Sequence, residues 1–185
     1  EVPIAVAVVT GDTMEEFNLE GSHDLQFFNP GIQFTNVSGT SQVTLRGVGT
    51  GYSGPGLSNS VATYIDESYV TAQVGGAQFF IDMENVQILK GPQGTLYGRN
   101  ATGGAVLYKT KDPDLEAMSG SVQVGFGELS TTEFEGIINW PISDSIAVRA
   151  ALKVEDRDEG YVTNVRTGEE LGKHENVVGR LKVLW

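Results

Sequence analysis

Apolar and polar positions alternate with period 2 in four stretches of residues 119–185. In SVQVGF (121–126), Val122, Val124 and Phe126 share a face. In EFEGIINW (133–140), Phe134, Ile138 and Trp140 oppose Glu133, Glu135 and Asn139. In SIAVRAALKVE (145–155), Ile146, Val148, Ala150, Leu152 and Val154 oppose Arg149, Lys153 and Glu155. In VVGRLKVLW (177–185), Val177, Leu181, Val183 and Trp185 oppose Arg180 and Lys182. Successive side chains of a strand point to opposite faces, so each stretch predicts a strand with one apolar and one charged face. A soluble meander packed on a core has this pattern. So does the wall of a membrane barrel, with strands of about 9–11 residues. Three features favour the barrel. The connection PISD (141–144) is tight while 156–176 is long and polar, matching short inner turns and long outer loops. Trp140 and Trp185 fall at one end of an up-and-down meander, where an aromatic girdle belongs. Four strands leave two unpaired edges that lipid cannot satisfy, so the stretch reads as part of a longer barrel.

Residues 1–118 lack this long alternation and read as short strands and helices divided by glycine and proline. Strands are predicted at 2–11, 41–48, 61–70, 86–90 and 103–111, where β-branched and aromatic residues concentrate. Short helices are predicted at 12–17, with Thr13 and Glu16 at capping-box spacing, at 22–28 with Ser22 as N-cap, and at 77–85. The expected division is a small α+β domain over 1–118 and four barrel-type strands over 119–185.

Composition narrows the chemistry. Twelve basic residues against 24 acidic give a net charge of −12, the reverse of a nucleic-acid footprint. Cysteine is absent, which removes disulfides, thiolate metal sites and thiol nucleophiles. His23 and His174 lie far apart in polar surroundings and read as surface residues, so no zinc site is expected. The acids Glu155, Asp156, Asp158 and Glu159 fit either a hard-cation site or a solvated loop, and the loop is the expectation.

Two glycine patterns invite a nucleotide reading. Gly49 to Gly54 spells G-x-G-x-x-G, but Pro55 and Gly56 follow in place of a helix start. Gly98 to Gly103 has phosphate-loop spacing, but Gly104-Ala105 follow where Lys-Ser/Thr is needed. No Ser-His-Asp set is arguable, and no residue is nominated as catalytic. Arg46, Lys90 and Arg99 stand beside glycines at strand ends, and the residues alone leave them open between exposure and pairing.

The motifs VPIAVAVVTG, DLQFFNPGI, VTLRGVGT, VATYIDESYV, VQILKGPQGTLYGRNATGGAV and TKDP occur in this order. Together they resemble the plug domain of TonB-dependent outer-membrane receptors, and residues 119–185 are similar to the first four strands of the barrel that follows it. The resemblance implies an α+β plug followed by antiparallel strands of a transmembrane barrel, about four of an expected 22. It implies a bacterial outer-membrane location and active, non-enzymatic uptake of a scarce nutrient, a ferric siderophore first. Cobalamin, haem or an oligosaccharide are alternatives, and a soluble β-rich binding module is the competing class. No cofactor or metal is expected. Expected partners are TonB, through a segment upstream of Val2, the nutrient and outer-membrane lipid, with no nucleic acid. The resemblance places ligand contacts at an outward apex, Gly49, Thr50, Gly51, Tyr52 and Ser53, and at Tyr69. It makes Arg46 and Lys90 cations that pair with barrel-wall carboxylates, and Arg99 a further latch. Glu67 stands where a turn glycine is usual, and Leu107 where Asn is frequent.

Overall fold

A computed structural model describes residues 5–37, 40–49, 59–70, 79–98 and 100–185. The chain forms two compact units, Glu1–Lys111 and Asp112–Trp185.

In chain order the first unit contains β1 (Ala5–Thr10), α1 (Gly11–Glu16), a 3-10 turn (Ser22–Asp24), α2 (Leu25–Phe28), β2 (Ile32–Val37) and β3 (Thr40–Leu45). Then come β4 (Val61–Ile65), β5 (Ser68–Tyr69), β6 (Met83–Lys90), α3 (Gly94–Tyr97) and β7 (Gly104–Thr110). Five strands form one sheet in the order β1-β6-β7-β4-β5, antiparallel except for β7 beside β4. The β2–β3 hairpin is separate.

The register gives the sheet two different faces. Val9, Val86, Ile88, Val106, Tyr108 and Val61 point one way. They bury against Met14 of α1, Leu25 of α2 and the hairpin residues Ile32, Phe34, Val43 and Leu45. Each such aliphatic or aromatic side chain contributes on the order of 1.5–3 kcal/mol by leaving water, so this face carries most of the unit's stability. The other face buries only Ala62, Leu89, Ala101 and Ala105, with Tyr64, Tyr69, Tyr97 and Leu107 packed around them.

Several predicted elements change. Residues 79–85 are not helical: Phe79 bridges Gly21, Asp82 has φ +50, and β6 begins at Met83. Phe80, Ile81, Asp82 and Met83 are all buried in succession, which no one-sided helix achieves. The run 61–70 folds back as a hairpin because Asp66 and Glu67 both adopt positive φ, with Asp66 held by Thr110. The run 41–48 ends at Leu45, where Arg46 and Gly47 make a tight turn at φ +50 and +80. The α1 cap is Thr10, whose hydroxyl accepts from Thr13 N, so Thr13 is inside the helix. Ser22 is no cap; it lies buried under the Tyr108 hydroxyl, and Asp24 accepts from the Glu20 and Gly21 amides. β2 and α3 form where the sequence pattern predicts no element.

The second unit is an antiparallel sheet of β8 (Ser119–Gly127), β9 (Thr131–Ser143), β10 (Ile146–Arg157) and β13 (His174–Leu184), in the order β13-β10-β9-β8. The small hairpin of β11 (Val162–Thr163) and β12 (Glu170–Leu171) stands in the long loop. The register aligns Val124, Phe134, Val154 and Val177 on one face and Gln123, Glu135, Lys153 and Val178 on the other. Val122, Phe126, Phe134, Leu152 and Leu181 are exposed large apolar groups, the pattern of a lipid-facing wall. Trp140 pairs with Val148, and Leu184, just before Trp185, pairs with Ala147, so both tryptophans lie at one end as expected.

Candidate functional site

Gly103, the last glycine of the Gly98–Gly103 pattern, contacts three distant parts of the plug unit. Its amide donates to the Ser60 carbonyl at 2.8 Å, and its carbonyl accepts from Gly91 N at 3.2 Å. A Cβ added there would meet Val48 Cγ1 at 3.0 Å. Gly49 follows Val48 and lies against Thr44, whose Cα would be 3.0 Å from an added Cβ. Gly103 is therefore a root shared by Val48 and Ser60. A side chain at 103 would push this root apart.

Residues 91–103 close on themselves through Gly91 N to Gly103 O and Gln93 N to Ala101 O, the latter at 2.8 Å. The one-turn α3 and buried Ala101 cover the second sheet face. The Tyr64 hydroxyl donates to the Tyr97 carbonyl, and Asn100 Nδ2 donates to the Tyr69 hydroxyl, both at 2.8 Å. Tyr64 packs on Tyr69 and Tyr97 with ring centres 5.4 and 5.3 Å apart. Such aromatic contacts contribute about 0.5–1.5 kcal/mol beyond burial. The stretch following Gly103 is strand β7, so the Gly98–Gly103 spacing presents no helix N-terminus to a phosphate.

The predicted site residues fall as follows. Gly49 lies against Thr44, while Thr50, Gly51, Tyr52, Ser53 and Arg99 lie outside the described residues. Tyr69 belongs to the tyrosine cluster, with its hydroxyl engaged by Asn100. Lys90 ends β6 beside Gly104, at the same sheet end as the Gly103 contacts. Arg46 is exposed at its turn, its backbone amide donating to Gly31 O. Tyr64, Tyr97 and Asn100 were not singled out, and Gly103 only as part of a phosphate-loop spacing; their roles come from contacts distant in sequence. His23 is not a simple surface residue, since its Nε2 is buried without a hydrogen-bond partner among the described residues. His174 Nε2 pairs with Glu155 at 2.6 Å. Among the described residues no group of three or more His, Asp or Glu is placed to hold a metal ion.

Residues 1–105 match the family model for the TonB-dependent Receptor Plug Domain. The chain belongs to this family. Among curated relatives, the pesticin receptor of Yersinia pestis is 26% identical over 183 residues, covering 97% of this chain and 27% of that protein. The hemin receptor of Yersinia enterocolitica is 32% identical over 119 residues, covering 60% of this chain and 16% of that protein. Among solved structures, the ferric yersiniabactin uptake receptor FyuA from Yersinia pestis aligns with a TM-score of 0.83 at 26% identity, covering 97% of this chain and 28% of that one. The chain thus spans about a quarter of the length of the pesticin receptor. Its first unit is a TonB-dependent receptor plug domain, and the antiparallel strands that follow it match those of TonB-dependent receptor structures.

Proposed function

We propose that the chain supplies the plug and first wall strands of a TonB-driven importer of ferric siderophores. The observation that carries this reading is Gly103, which contacts both Val48 and Ser60 at the end of the plug sheet where Lys90 and Gly104 pair. Residues brought together at one end of a plug sheet suit recognition of a large chelate. Gly49, Thr50, Gly51, Tyr52 and Ser53 form the contact apex, with Tyr69 a second contact once Asn100 releases its hydroxyl. Tyrosines offer flat apolar area with a polar edge.

Arg46, Lys90 and Arg99 act as latches to carboxylates of the barrel wall. No carboxylate among the described residues of the first unit pairs with Arg46 or Lys90. A cation held against a wetted wall costs less to release than a dry buried pair, which suits a plug that must open. TonB binds upstream of the plug and supplies the pull, and outer-membrane lipid surrounds the barrel. The hemin receptor's likeness supports haem as the second cargo reading.

The test is titration of the purified complete receptor with ferric phenolate, catecholate and hydroxamate siderophores and with hemin, following tryptophan quenching. One ferric siderophore class is expected to bind, and Tyr52→Ala to weaken it by about 2 kcal/mol, roughly 30-fold. Binding of hemin alone selects the second reading, and binding of none refutes both.

A further inference from the structure

The sequence between the plug sheet and the first barrel strand, residues 112–118, is held by one fully buried side chain. Asn139 lies on the charged face of β9. Its Oδ1 accepts from the Asp114 amide at 2.8 Å. Its Nδ2 donates to the carbonyls of Asp114 at 2.9 Å and Ala117 at 2.8 Å. Three of the four hydrogen bonds available to an amide side chain are thus committed to the connector. The register sets Asn139, Arg149 and Lys182 in one row across β9, β10 and β13. Lys182 Nζ donates to Asp112 Oδ1 at 2.9 Å, so this row grips the connector at one further point along the chain. Asp114 Oδ1 also accepts from Glu116 N, which shapes the segment between the two Asn139 contacts.

We infer that Asn139 is the positioning residue that anchors the plug's C-terminal end to the barrel wall when the plug is pulled. The inference takes from the proposed function only the source of the pull. Tension arriving through Lys111 meets Asp112–Lys182 first and then the three Asn139 bonds, which share load between two connector residues. Without the clamp the load reaches Ser119, the end of the β8–β9 ladder, where Ser119 pairs with Asn139 itself. There it peels the ladder one pair at a time. The clamp keeps the pull on the plug and off the barrel seam. A buried amide whose partners leave is costly, which favours the fully engaged state.

The test is force spectroscopy on the complete receptor in a bilayer, pulling on the plug's N-terminal side, with hydrogen exchange at Asp114. Wild-type receptor is expected to exchange the Asp114 amide as slowly as the β9 amides and to release chain only up to residue 111. Asn139→Ala is expected to add the connector, seven residues or about 25 Å of contour length, and to speed Asp114 exchange at least ~10-fold. Asn139→Asp keeps the acceptor for Asp114 N and loses both donors, so it should retain slow Asp114 exchange yet release at lower force. Lys182→Met leaves Asn139 in place and should keep the Asp114 protection. Fast Asp114 exchange in the wild-type receptor overturns the inference before any variant is made. Unchanged contour length in a folded Asn139→Ala receptor, judged by its heat-modifiable gel mobility, also overturns it. A receptor that imports no siderophore would still show the clamp, so the two readings fail separately.

Discussion

The amide of Gly103 donates to the carbonyl of Ser60 at 2.8 Å, while Val48 lies where a Cβ on Gly103 would go. One glycine thereby joins Val48 and Ser60. Gly103→Ala requires Val48 to move by a few tenths of an ångström, an overpacking cost of about 1–3 kcal/mol. Gly104→Ala is worse, because φ is +143 and the new Cβ would press on the Leu89 carbonyl and on Leu45 Cδ1 at 2.7 Å. About 3 kcal/mol or more is expected there. Gly94, with nothing within 4 Å, should tolerate alanine without loss. Hydrogen exchange at Val61 and Val106 in the complete receptor reads all three.

The β4–β5 turn is built from two residues in left-handed backbone, Asp66 at φ +44 and Glu67 at φ +66. Glycine carries no Cβ penalty in that region, whereas other residues lose about 1–2 kcal/mol. Glu67→Gly should therefore stabilise the plug by about 1 kcal/mol. Asp66→Ala should destabilise it by about 1–3 kcal/mol, since its carboxylate accepts from Thr110 N at 2.9 Å and Thr110 Oγ1 at 2.7 Å. Opposite signs at adjacent positions are the diagnostic result, measured by the opening free energy of the Tyr108 amide. Equal signs would show that the turn's strain is not what the hairpin bears.

Tyr108 is buried and donates to Ser22 Oγ at 2.9 Å. Burial pushes the phenol's pKa well above its ordinary value, and the Ser22 hydrogen bond offsets this only in part. A pKa raised in the folded state gives stability that is full below the unfolded pKa, near 10, and is lost as pH rises beyond it. The plug should accordingly open progressively above about pH 10. Tyr108→Phe should cost about 1 kcal/mol at neutral pH through the lost Ser22 bond, and should flatten the alkaline loss. Hydrogen exchange across β7 from pH 8 to 11, corrected for intrinsic rates, checks both effects.

Leu152 and Lys153 are neighbours on β10 that face opposite sides of the wall. Leu152→Arg should cost about 2–4 kcal/mol of barrel stability if this face meets the middle of the bilayer. Lys153→Leu faces the other way and should change assembly little. Heat-modifiable mobility and urea unfolding of the complete receptor in bilayers distinguish the pair.

Legibility differed between the two units for a physical reason. Period 2 marks Val148, Ala150, Leu152 and Val154 unambiguously because one medium wets each face of the wall. The ends of those strands were read short: β9 continues through Pro141 to Ser143. Proline is tolerated there because β8 stops pairing at Asn139, leaving β9 without a neighbour on that side. In the plug, Asp66–Glu67 carries no glycine, so composition alone gives one strand over 61–70 and the turn shows only through the family resemblance, while consecutive buried residues at Phe80–Met83 mask their period. The Gly103 root and the Asn139 clamp join residues distant in sequence, which no local pattern announces. Lys90 was singled out through family motifs, and the register of β6 with β7 sets it beside Gly104, next to Gly103.

The central claim is that this plug opens under TonB to admit a ferric siderophore. Radioiron uptake, supplied as siderophore extracted from iron-starved cultures, should be compared in cells carrying the complete receptor with and without TonB. The account predicts surface binding in both cells and accumulation only where TonB is present. Accumulation that persists without TonB, or no receptor-dependent binding in either cell, would contradict it.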